Sequence, residues 1–116
     1  MNVPTGRHVP ARYDILWHQG DTYTEDFKLT INGAALPLTG MTLAAQIKPA
    51  TGDLIDLNVN ITDTDEGEFT LTATGATLEP CAPGAAHYWE LRDDAVDETI
   101  LAGTWTTQTD RVGEPV

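Results

Sequence analysis

Tyr23-Thr24-Glu25-Asp26-Phe27-Lys28-Leu29-Thr30-Ile31-Asn32-Gly33 carries the pattern on which the fold turns. Tyr23, Phe27, Leu29 and Ile31 fall on one parity, while Thr22, Thr24, Asp26, Lys28 and Thr30 fall on the other. Successive side chains of a strand point to opposite faces, so this alternation predicts a strand with one face buried. Asn32-Gly33 follows at once, and both residue types accept the positive φ of a tight hairpin turn. Ala34 to Leu38 then returns as a short strand. Pro37 places it at an edge, because proline has no N–H for a ladder.

The same period continues along the chain. Met41, Leu43, Ala45 and Ile47 alternate with Thr42, Ala44, Gln46 and Lys48. A turn at Pro49 to Asp53 precedes Ile55, Leu57, Val59 and Ile61, the longest apolar parity set. Phe69, Leu71 and Ala73 alternate with Glu68, Thr70 and Thr72. Residues 74–84 hold two prolines and two glycines, with a single helical turn expected near Ala76 to Glu79 and Thr74 as its cap. Ala86 to Arg92 is a strand with Trp89 and Leu91 inward and Tyr88 and Glu90 outward. Thr99 to Thr109 is the last, with Leu101, Gly103 and Trp105 on one face. Seven or eight short strands broken by turns about every 8–12 residues predict an all-β fold, a single Ig-like antiparallel β-sandwich.

Composition agrees. The 116 residues include 18 threonines, a β-branched residue suited to half-exposed strands, but only 6 Lys plus Arg. The length permits one domain. No apolar run approaches the ~18 residues of a membrane helix, and Met1 to Arg12 has no apolar stretch of the secretory kind. No membrane association is therefore expected. A formal charge of −12 argues against nucleic acid, whose binders displace counterions with Lys and Arg.

That charge is unevenly spread. Residues 1–12 hold Arg7, His8 and Arg12 and no acid, for a charge of +2, and the remainder sums to −14. Pro4, Gly6 and Pro10 break any hydrophobic period. Three regions follow: an extended N-terminal arm (1–12), a β-sandwich (13–109) and a C-terminal tail (110–116).

The order of short signatures resembles a known group. Gln19-Gly20-Asp21-Thr22 leads into the first alternating strand. Leu36-Pro37-Leu38-Thr39-Gly40-Met41-Thr42 then enters a strand that ends in Gln46-Ile47-Lys48. Gly67-Glu68-Phe69-Thr70-Leu71, Tyr88-Trp89-Glu90-Leu91-Arg92 and Gly103-Thr104 follow. This layout resembles small tailed-phage virion proteins, including the N-terminal β-sandwich domain of phage upper baseplate proteins, over Tyr13 to Thr109. Such baseplate proteins continue into long helical and C-terminal regions, and the basic arm is an addition to their pattern. The resemblance implies a virion building block with no catalytic residues.

The residues give chemistry little purchase. The chain has no serine. Cys81 lies between prolines in a turn, without an adjacent base. His8, His18 and His87 lack ligand spacing and read as surface or interface residues. The acidic groups Asp63, Asp65, Glu66, Glu68 and Asp93, Asp94, Asp97, Glu98 lack the length and ligand order of an EF-hand and read as solvated turns. Calcium between those two loops or at a subunit boundary is an open alternative. Trp89 and Trp105 sit at core parity. Trp17, at the junction of arm and body, is the tryptophan most suited to an interface.

The expectation is therefore a protein without catalytic, cofactor or metal site. It would be a tail, baseplate or neck component that meets other phage structural proteins as a homo- or hetero-oligomer in the virion, after assembly in the host cytoplasm. Arg7, His8, Arg12 and Trp17 are its expected interface residues, with Arg7 and Arg12 pairing acids on a neighbour. A capsid decoration or minor head protein is the alternative, and a carbohydrate-binding module using Trp17 is a further one.

Overall fold

The computed structural model describes residues 2–4, by their backbone, and residues 11–109. Among them are ten strands and no helix. They are β1 (Asn2–Pro4), β2 (Ala11–Arg12), β3 (Ile15–His18), β4 (Tyr23–Ile31) and β5 (Ala34–Ala35), followed by β6 (Leu43–Lys48), β7 (Ile55–Asp63), β8 (Glu68–Ala73), β9 (His87–Asp93) and β10 (Glu98–Gln108).

The strand path runs β1-β4-β8-β7-β6-β9-β10-β2, with β5 beside β4 and β3 beside β10. It curls into two layers because β7 serves both. Its first half, Ile55 to Leu57, pairs with β6, and its second half, Asn58 to Asp63, pairs with β8. An irregularity between Ile61 and Asp63 ends the predicted parity there, and Ile61 is exposed. The predicted hairpin at Asn32-Gly33 is present, both residues having positive φ. The expected helical turn is also there: the Leu78 N–H donates to Thr74 O at 3.2 Å, and the Thr77 N–H to Thr74 Oγ1 at 3.3 Å. Leu78 is fully buried beneath it.

The all-β, sandwich-like architecture is thus the observed one. The sheet is mixed, however. β1 runs parallel to β4, and β2 and β3 run parallel to β10. Alternation within a strand specifies which face is buried but not the direction of its partner. Two of these parallel pieces, Asn2–Pro4 and Ala11–Arg12, fall within the stretch assigned from composition to an arm, and both are paired to the body.

Aromatic rings fill the space between the layers. Phe27 stacks on Phe69 at 5.2 Å, and Tyr13 meets Phe27 edge-on at the same distance. Tyr23 packs edge-on to Trp105 at 5.0 Å, and Trp17 meets Trp105 at a tilt at 6.2 Å. Such offset and edge-on pairs add to the burial of the rings themselves. Leu29, Ile47, Leu71, Leu91 and Leu101 complete the core. At Gly67, φ is +70°, and a Cβ would lie 2.6 Å from Leu36 O and 2.8 Å from Leu29 O, so only glycine fits where β4 meets the 63–67 turn.

Candidate interaction surface

Residues 11–18 lie along the outer edge of β10 and are locked there by three polar contacts. The Tyr13 N–H donates to Ala102 O at 3.0 Å, and the indole N–H of Trp89 donates to Tyr13 O at 2.7 Å. The Thr104 N–H donates to Asp14 Oδ1 at 2.9 Å. Gly103 permits this approach: a Cβ there would stand 2.7 Å from the Tyr13 carbonyl carbon and closer still to its oxygen. The hydrogen bond from Thr104 holds the Asp14 carboxyl below its usual pKa, with Arg12 contributing.

On the opposite side Tyr13 reaches the other layer. Its hydroxyl and that of Tyr23, the latter at 2.9 Å, both donate to the Glu25 carboxylate. Burial, then the hydrogen bond to Glu25, pushes the Tyr13 phenol up to about 12. Burial also raises Tyr23 well above its ordinary value.

The outer face of β6, β9 and β10 forms a groove of about 740 Å³. Gln46 and Lys48, Tyr88 and Glu90, Ala102 and Thr104 line it, alternating with the buried Ile47, Trp89 and Leu91 of the inner face. Register sets these residues in two rows across the strands. Lys48 opposes Tyr88, which opposes Thr104. Gln46 opposes Glu90, which opposes Ala102, which in turn opposes Arg12. Leu54 closes one end. Leu54 and Tyr88 are 57% and 56% exposed, so the groove has apolar surface open to solvent.

The residues singled out in the sequence fall in different places. Arg7 and His8, like the tail 110–116, lie outside the described residues. Arg12 is exposed at the rim of the groove, with its Nε 3.2 Å from Asp14 Oδ1. Trp17 is buried, its indole N–H donating to Asp21 O at 2.8 Å. The ring is therefore not offered to a sugar or a neighbour by this chain. Trp89 and Trp105 are in the core, as their parity predicts.

His87 departs from the expected surface or interface position. It is 1% exposed, its Nδ1 accepts from the Ala50 N–H at 2.9 Å, and its Nε2 faces Ala82 O at 2.8 Å. A ring that tethers two loops can occupy a core position because both nitrogens are satisfied. Asp93 is also buried rather than solvated. Its Oδ1 accepts from the Thr42 and Ala95 amides, both at 3.0 Å, pinning the β9–β10 turn to the start of β6. In the other acidic turn, Asp63 Oδ1 accepts from the Glu66 N–H, and Glu66 pairs with Lys28 at 3.1 Å. Among the described residues no three His, Cys, Asp or Glu side chains are grouped to hold a metal ion. Cys81 is buried, and desolvation pushes its thiol up to about 11, far from a nucleophile's range.

Sequence reasoning missed the groove and strand β3. Tyr13, Ile15 and Trp17 share a parity that marks β3, but over too few residues to stand out. The groove exists only after β6, β9 and β10 come together.

No family model and no curated protein matches the chain. The match is to solved structures, and it falls on a domain of a phage protein. That structure is the N-terminal domain of phage TP901-1 ORF48, with a TM-score of 0.57 and 11% sequence identity, covering 92% of this chain and 94% of that one. The resemblance to an N-terminal domain of a phage protein is thereby met at the level of fold.

Proposed function

We propose that this chain is a non-enzymatic structural component of a tailed bacteriophage particle, a tail, baseplate or neck accessory protein acting through protein–protein contacts. The fold likeness to the phage TP901-1 domain supports this, because it spans nearly the whole of both chains. Partners are other phage structural proteins, with the chain as a homo- or hetero-oligomer in the virion after assembly in the host cytoplasm. The division of the chain into arm (1–12), sandwich (13–109) and tail (110–116) belongs to the same proposal. Arg7 and Arg12 supply the arm's positive charge against acids of a neighbour, and His8 belongs to the same interface. Trp17, packed on Trp105, anchors the base of that segment to the body and acts on the interface through it. The acidic body keeps free subunits apart.

The test is incorporation. Gold-labelled antibody against the chain should decorate purified particles at the tail or baseplate. A chain lacking residues 1–12 also loses the short strands β1 and β2 at the ends of the sheet; it should remain a folded β-domain and be missing from particles. Normal incorporation of the truncated chain would refute the role of the arm, and absence of the intact chain from particles would refute the virion role.

A further inference from the structure

We propose that the groove on the outer face of β6, β9 and β10 docks an extended acidic segment of a partner protein, with an apolar side chain seated between two acids. The proposal rests on the virion reading for the partner's source, but not for its chemistry.

Charge is the first argument. The chain is strongly acidic, yet two of its six basic residues, Arg12 and Lys48, stand at this one groove. Lys48 forms no ion pair among the described residues. Arg12 has only an exposed pair with Asp14, of little strength in water. The acids nearby, Asp56 and Glu90, are hydrogen-bonded within the chain and keep their negative charge. Asp56 accepts from Gln46 Nε2 at 2.9 Å, and Glu90 lies 3.8 Å from the Arg92 guanidinium and accepts from Thr99. Lys48 and Arg12 thus place one cation at each end of the groove, with the Glu90 carboxylate between them in the row of Arg12.

Shape is the second. Lys48 and Arg12 are three strands apart and one row offset, a separation on the order of 15 Å at the usual strand spacing. An extended chain rises about 3.4 Å per residue, so acids four or five positions apart would meet both cations. Between them lie Tyr88 and Ala102, with Leu54 at the end, a surface for an apolar side chain rather than for a run of charges. Alternating apolar and acidic residues are what an extended segment presents on one face and along its edges.

The intact, isotope-labelled chain can be titrated with the synthetic peptide Glu-Leu-Glu-Thr-Leu-Thr-Glu-Leu-Glu and followed by amide chemical shifts. Saturable shifts are expected at Gln46, Lys48, Tyr88, Glu90 and Thr104. Lys48→Glu should weaken binding about fivefold or more, the scale of an exposed charge pair. Tyr88→Ser should weaken it independently, and both variants should melt like the parent, because both side chains are exposed. Equal binding of the Lys-for-Glu peptide, shifts centred elsewhere, or tighter binding of a heparin hexasaccharide on the same amides would overturn the proposal. So would self-association abolished by Lys48→Glu, which would make a second copy the occupant. Particle incorporation separates the two levels. Peptide binding by a chain absent from particles leaves the groove standing and removes the virion role. A chain found in particles that ignores the peptide removes the groove proposal alone.

Discussion

Gly103→Ala should be far more damaging than a methyl group on a strand normally is. The added Cβ would lie 2.7 Å from the Tyr13 carbonyl carbon and 2.9 Å from Asp14 Oδ1. Backbone, not a flexible side-chain end, blocks it, so residues 13 and 14 must move away from β10. Overpacking of this kind costs about 1–3 kcal/mol. The shift also removes the acceptor for the buried Trp89 indole N–H, and an unsatisfied buried donor costs about 1–3 kcal/mol more. A combined loss of about 3 kcal/mol would be a large share of the roughly 5–15 kcal/mol typical of a whole domain. For a chain this long it corresponds to a fall in Tm of about 12 °C, at roughly 4 °C per kcal/mol. Thermal unfolding followed by circular dichroism would measure it, with Thr106→Ala on the exposed face as control. In a Trp89→Phe background the indole bond is already gone, so the same substitution should cost visibly less. A Tm for Gly103→Ala within about 2 °C of the parent, at the ~4 °C per kcal/mol scale, would refute the packing argument.

Further outcomes follow from the polar groups of Tyr13, half-buried, and His87, buried. Tyr13 titrates near 12 in the fold against 10 ordinarily, so the folded state holds its proton more tightly. The stabilisation is full below pH 10 and is lost as pH rises toward about 12, and the direction for Tyr23 is the same. Alkaline melting curves should show stability falling over that window, with a smaller fall in Tyr13→Phe, and the phenolate absorbance should lag behind that of the denatured chain. His87 should be the neutral Nε2–H tautomer, because Nδ1 accepts from Ala50, and long-range nitrogen–proton NMR reads this directly. His87→Phe should cost about 2 kcal/mol in urea unfolding, since the Ala50 N–H and the Ala82 carbonyl both lose their partner.

Wherever the chemistry was local, the sequence was a sufficient guide. Strand β4 and its Asn-Gly turn follow from the parity of Tyr23, Phe27, Leu29 and Ile31 and from two residues that tolerate positive φ. The inward direction of Trp89, Leu91 and Trp105 follows from period two alone. What escaped depends on distant parts of the chain. The polar His87 and Asp93 are buried because backbone groups 37 and 51 residues away meet them. Arg12 was legible as a basic residue without an acidic neighbour in its segment. Its place at a groove with Lys48 was not, since three strand pairings intervene. Trp17 looked available at a junction and is covered by Trp105, a residue from the opposite end of the domain.

The pairing of β3 with β10 joins the opening of the domain to its close, and this has a consequence during synthesis. Asp14 and Thr104 are 90 residues apart. At about 5–20 residues per second, the segment Ile15–Trp17 emerges roughly 5–20 s before its partner strand does. Throughout that interval two large apolar side chains destined for the core have no sheet to cover them. Completion of the fold is therefore an event that follows release of the last strand from the ribosome, and Ile15–Trp17 is a stretch open to a nascent-chain chaperone during that interval.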